Sequence, residues 1–154
     1  MLRPLLALLL LFAASAPALA QRAAGPAVGT TMSVTEAHAK ALAGEIVLVD
    51  VRTPDEWKET GVPASAHAIT MHQEGRTFVA ELQKVLSNDP AKPLAIICRT
   101  GNRTSSIYGE LQRIGFKTVI NVAEGVAGGP YGPGWQKSGL PLRQSTAPRM
   151  SSKP

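Results

Sequence analysis

The 154-residue chain contains one cysteine, so it cannot close a disulfide within itself. Aromatic residues make up 5% of it, which leaves Val, Ile, Leu and Ala to build most of any core. Its 16 Lys and Arg are scattered, with no basic stripe and no interleaved aromatics, so the net charge of +5 does not describe a nucleic-acid surface. It favours small anionic ligands instead. The three histidines, His38, His67 and His72, fall in separate segments without ligand spacing, which excludes the common metal-site patterns. Long apolar runs are also missing. The longest, Leu5 to Ala14, is about half of the roughly 20 residues a membrane span needs, so no stable membrane anchor is expected.

That run sits inside an export pattern. Arg3 precedes it and Ala18-Leu19-Ala20 follows as a small-x-small cleavage site, so residues 1–20 read as a secretory signal peptide. The expected location is periplasmic or secreted. Residues 21–31 read as a flexible lead-in and residues 143–154, RQSTAPRMSSKP, as a disordered tail. Export sharpens the meaning of a single cysteine. Exported chains commonly use cysteines in pairs, and an unpaired one is either a partner for another molecule or a free reactive thiol.

Between the ends, helical and strand patterns alternate. Ser33 with Glu36 predicts a helix start, and Gly44 its stop. The run 46–51, IVLVDV, predicts a strand buried on both faces. Thr53 with Pro54 opens a short helix. SAHAIT predicts a weaker strand. Phe78, Leu82, Val85 and Leu86 recur at helical spacing. LAIIC, 94–98, predicts a second buried strand, and a helix near Thr104 places Ile107, Leu111 and Ile114 inward. KTVINV predicts another strand, and the Gly/Pro-rich stretch to Leu142 holds one helical turn at most. Trp57 and Trp135 are expected in the core. The pattern is α/β, with a mostly parallel central sheet flanked by helices on both faces.

Cys98 falls at the carboxyl end of a central strand, where open α/β sheets bind ligands. The loop after it, Cys98-Arg99-Thr100-Gly101-Asn102-Arg103, has to curl with its N–H groups inward. Gly101 admits the positive φ that such a curl needs. Successive inward N–H groups form an anion-binding nest, and the next helix adds its positive end. The same cradle favours a thiolate, the nucleophilic form of cysteine. Arg99 and Arg103 flank it and are expected to attract an anionic substrate. Asp50 and Arg52, two residues apart at the end of the first strand, are expected to support the neighbouring loops.

These residues carry a resemblance. LVDVRTPDEWKETGVPASAHAI resembles the N-terminal signature of single-domain rhodanese-like sulfurtransferases, with Asp50-Val51-Arg52 and Glu56-Trp57 in place. CRTGNR resembles their six-residue active loop. The helix TSSIYGELQRIGF leading to VINVAEG, and the closing Gly134-Trp135 to Pro141, follow in the family's order. The resemblance covers about residues 32–142. It implies a rhodanese-like fold and transfer of a sulfane sulfur from a small anionic donor, such as thiosulfate, to cyanide or a thiol. The intermediate would be a Cys98 persulfide held by Arg99, Thr100, Gly101, Asn102 and Arg103, and no metal or organic cofactor is implied.

Two departures stand out. Gly61-Val62-Pro63-Ala64-Ser65 lacks the histidine usual there, and an extra stretch, GVAGGPYGP, precedes Trp135. Two other readings of the cradle remain. A persulfide carrier would hold sulfur without turning over. A cysteine phosphatase or arsenate reductase would need Cys-x5-Arg, and that position is Thr104.

Overall fold

The structure is a computed structural model and describes residues 30–146. The expected signal peptide, most of the expected lead-in and the last eight residues of the expected tail lie outside the described residues.

Four parallel strands form the central sheet in the order β3-β1-β4-β5. They are β1 (Val47–Asp50), β3 (Ala66–Ala68), β4 (Leu94–Ile97) and β5 (Val119–Asn121). Leu48 stands opposite Ala95, and Ala95 opposite Ile120, so the two strands that carry Asp50 and Ile97 end level with each other. A second, two-residue antiparallel pair joins β2 (Val62–Pro63) to β6 (Leu142–Arg143). Five helices complete the fold: α1 (Val34–Leu42), α2 (Pro54–Thr60), α3 (Gly75–Val85), α4 (Asn102–Arg113) and α5 (Gly134–Lys137).

The strands bury both faces, and alternate side chains feed two separate cores. Leu48, Ala95, Ile97 and Ile120 pack with Val34 and Ala37 of α1, Trp57 of α2 and Trp135 of α5. Val49, Leu94, Ile96 and Val119 pack with Phe78 and Leu82 of α3 and Leu111 of α4. Cys98 continues the parity of Leu94 and Ile96 and falls in this second core. Helices therefore cover both faces of the sheet.

Local chemistry sets the helix starts. Ser33 caps α1 by accepting from the Glu36 N–H. Thr53 and Glu56 make a reciprocal capping box on α2, with Pro54 in its first turn. Helix α1 stops at Ala43, and Gly44 follows with φ +73°.

Several boundaries differ from expectation. Helix α4 starts at Asn102, ahead of Thr104, because Gly101 adopts a left-handed φ of 89° and serves as its N-cap without a side chain. The active loop is thus shorter than its sequence motif, and Asn102 and Arg103 belong to the first turn of α4. Ile114 is not inward. It follows the last helical turn and is 45% exposed. The expected tail is ordered at its first residue, since Arg143 pairs with Val62 in the β2–β6 ladder. At the other end Thr31 bridges Asn121 alongside β5, so the end of the expected lead-in is held at the sheet edge.

Candidate active site

Cys98 follows β4 directly and is 1% exposed. Its Sγ accepts a hydrogen bond from the Gly101 N–H at 3.2 Å, and the Thr104 Oγ1 lies 3.6 Å away. The chain from Cys98 to Gly101 thus curls back on the sulfur. The left-handed Gly101 makes the curl, and a Cβ there would run into the Ala123 carbonyl.

The extra stretch after β5 forms the outer wall of this curl. Val126 N–H donates to the Cys98 carbonyl and Ala127 N–H to the Arg99 carbonyl, both at 2.9 Å. These bonds anchor the Cys98 and Arg99 carbonyls to the wall. Gly125, at φ +72°, sits so close to the Arg99 carbonyl that a side chain there would collide with it. Trp135 and Gln136 of α5 donate to the Gly125 and Val126 carbonyls, which ties the wall to the core.

The structure distributes the expected site residues unevenly. Cys98, Thr100 and Gly101 lie in the curl. Asn102 is exposed on the first turn of α4. Arg99 is exposed at the mouth, and its side chain makes no hydrogen bond or ion pair among the described residues. Arg103 is engaged: its guanidinium forms a fork with the Glu56 carboxylate, with the Nη1–Oε2 distance 2.7 Å, and it also reaches His72 Nε2 at 3.3 Å. Asp50 and Arg52 come together as a buried pair at 2.7 Å. Arg52 also donates to Thr60 Oγ1 and the Gly61 carbonyl, both at 2.7 Å, so it joins the end of β1 to the end of α2.

Three residues outside the expected set contribute. Glu56 receives the Arg103 fork together with the Thr53 N–H and hydroxyl. Burial pushes its carboxyl up, but Arg103 and Thr53 outweigh burial and bring it from the usual 4.5 down to about 2. Glu56 in turn raises the Arg103 guanidinium above its ordinary value. Thr104 is buried, donates to the Gly101 carbonyl at 3.0 Å and faces the thiol. Glu124 accepts from the Val34 and Gly134 N–H groups, each at 3.2 Å, and so fixes α1 and α5 to the end of β5. Thr104 had a legible signal, three positions after a glycine at a helix start. The Glu56–Arg103 pair had none, because 47 positions separate the two residues.

Where a cysteine phosphatase needs an arginine, Thr104 fills the space with a short hydroxyl. Among the described residues no group of His, Cys, Asp and Glu could hold a metal ion, and no helix is long and apolar enough to cross a membrane.

A buried thiol that accepts a loop N–H, at the carboxyl end of a parallel sheet, defines an α/β protein built around one enclosed sulfur. Residues 33–129 match the Rhodanese-like domain family, and the chain belongs to that family. An uncharacterized protein of Rickettsia prowazekii is 28% identical over 98 residues, spanning 61% of this chain and 80% of that one. Among solved structures, the polysulfide-sulfur transferase homodimer of Wolinella succinogenes is 27% identical with a TM-score of 0.54, covering 77% of this chain and 80% of that one. A Mycobacterium tuberculosis protein is 26% identical with a TM-score of 0.59, covering 76% and 98%. The family and the Wolinella succinogenes neighbour support a sulfurtransferase-like enzyme.

Proposed function

We propose that the protein moves a sulfane sulfur from thiosulfate, or a related anionic donor, to cyanide or a thiol through a persulfide on Cys98. The observation that carries this reading is the Cys98 sulfur itself, directly after β4 and accepting the Gly101 N–H at the start of α4. The Cys98 thiolate attacks the outer sulfur of the donor. A new S–S bond forms, the donor's own S–S bond breaks, and sulfite leaves with the electron pair. Polysulfide, for which the Wolinella succinogenes neighbour is named, offers the same terminal sulfur.

The inward N–H groups stabilise negative charge on the outer persulfide sulfur in the second state. Arg99, Thr100, Gly101, Asn102 and Arg103 bind the donor and the persulfide. Because Arg103 is neutralised by Glu56, Arg99 supplies the free positive charge at the mouth. An acceptor thiolate then attacks the outer sulfur and returns Cys98 to its starting state. No step uses a metal or an organic cofactor. The leader pattern in residues 1–20 supports a periplasmic or secreted location for this chemistry.

Intact mass after treatment with thiosulfate tests the reading. One added sulfur atom is expected, removed again by cyanide, and absent from Cys98→Ser. A Ser variant that still turns over thiosulfate at the parental rate would overturn it.

A further inference from the structure

Asn121 ends β5 with a polar side chain in an apolar setting. Its neighbours along the chain, Val119, Ile120 and Val122, are buried hydrophobics, and Asn121 itself is 6% exposed. Its amide nitrogen donates to the Ser105 Oγ at 2.9 Å. Its Oδ1 is buried and has no hydrogen-bond partner among the described residues. Ser105 dictates this orientation. The Ser105 hydroxyl carries one proton, and that proton goes to the Gly101 carbonyl at 2.7 Å. Toward Asn121 the hydroxyl can only accept, so Nδ2 faces it and Oδ1 is left over. An unpaired buried acceptor costs free energy that an apolar residue of similar shape would avoid. Stability alone therefore does not account for an asparagine at this position.

The amide reaches the thiol through a short relay. The Gly101 carbonyl accepts from the Ser105 N–H and the Thr104 Oγ1, both at 3.0 Å, as well as from the Ser105 Oγ. The N–H of the same glycine donates to the Cys98 Sγ at 3.2 Å. Glycine has the freest backbone of any residue, so the aim of that N–H depends on what holds its carbonyl. Resting on the sulfur-transfer reading above, we propose that Asn121 is a positioning residue for the transfer. Through Ser105 it holds the Gly101 carbonyl, and so keeps the Gly101 N–H on the Cys98 sulfur while that sulfur carries negative charge. The unpaired Oδ1 follows from presenting Nδ2 to a hydroxyl whose proton is already committed.

The test times single-turnover sulfur loading of the full chain from thiosulfate, read by intact mass, beside thermal melts. Asn121→Leu keeps the approximate shape and removes both polar atoms of the amide. Ser105→Ala removes the hydroxyl from an exposed position on α4, and tests the relay even where Asn121→Leu fails to fold. Each is expected to slow loading by about fivefold, less than the full loss of a hydrogen bond to a charged group. The double variant should be no slower than the slower single, because both act through one carbonyl. Ser105→Thr keeps the hydroxyl and should load at the parental rate. Asn121→Leu should melt at or above the parental temperature, since the unpaired acceptor is gone. A residue that only stabilises the strand predicts the reverse, a lower melting temperature with parental loading. That result, parental loading by Ser105→Ala, or single effects that multiply in the double variant overturns the positioning role and leaves the persulfide chemistry standing. A parent chain that loads no sulfur overturns the sulfur-transfer reading and this role with it.

Discussion

Thr104 shows how much rests on one hydroxyl beside the sulfur. Its Oγ1 sits 3.6 Å from Sγ and donates to the Gly101 carbonyl at 3.0 Å. When the sulfur carries negative charge, that hydroxyl is placed to turn its proton toward it. Thr104→Val keeps the shape and removes the proton. A hydrogen bond to a charged group contributes about 1.5–3 kcal/mol, so sulfur loading from thiosulfate should slow by ~10-fold or more. Stopped-flow loading rates check this, with the melting temperature as control. An unchanged loading rate would leave Thr104 as a packing residue only. At the same scale the sequence was legible where side chains act locally. Thr53 and Pro54 gave the start of α2 by position alone. It was illegible for Ile114, whose place in the apolar pattern said inward although it falls past the last turn of α4.

Two elements meet in the Glu56–Arg103 fork, which fastens the first turn of α4 to the first turn of α2. The folded state holds Glu56 at about 2, below the usual 4.5. A depressed carboxyl stabilises the fold above its unfolded value, and that contribution disappears as pH falls from 4.5 toward 2. Glu56→Gln should therefore lower the melting temperature at neutral pH and flatten its fall across that acid window. Circular-dichroism melts at several pH values measure both. If parent and variant lose stability in parallel through the window, Glu56 is not the group responsible. The loop between β4 and α4 carries a separate expectation. Gly101→Ala places a side chain at φ 89° against the Ala123 carbonyl. The cost should be about 2–3 kcal/mol or more, together with loss of sulfur loading, because the curl cannot keep its shape. Urea denaturation reads the first and intact mass the second. Neither the fork nor this contact could be inferred from spacing, since each joins segments that only the sheet brings together.

For the whole molecule, the two-sided core was legible because apolar runs at 46–51 and 94–97 leave no polar face to expose. The edges were not. Arg143 is ordered by a two-residue ladder to Val62, and Thr31 by one bridge to Asn121, neither of which has a compositional signal. The leader pattern carries an expectation of its own. Protein recovered from its native source should begin at Gln21, outside the cytoplasm. N-terminal sequencing checks it, and an intact Met1 on a cytoplasmic product would refute it.

The closing ladder also fixes an order in time. Val62 and Pro63 find their strand partner only when Leu142 and Arg143 arrive, and Trp135 fills the core against α1 and α2 just before them. A chain emerging from its N-terminus first therefore has Cys98, the curl and most of the sheet in hand while one face of that sheet is still open. A synthesis halted before Trp135 leaves the wall beside the thiol without the bonds from α5 that tie it to the core, and an apolar face without its cover. Such a product is expected to be more open to proteolysis than the complete chain.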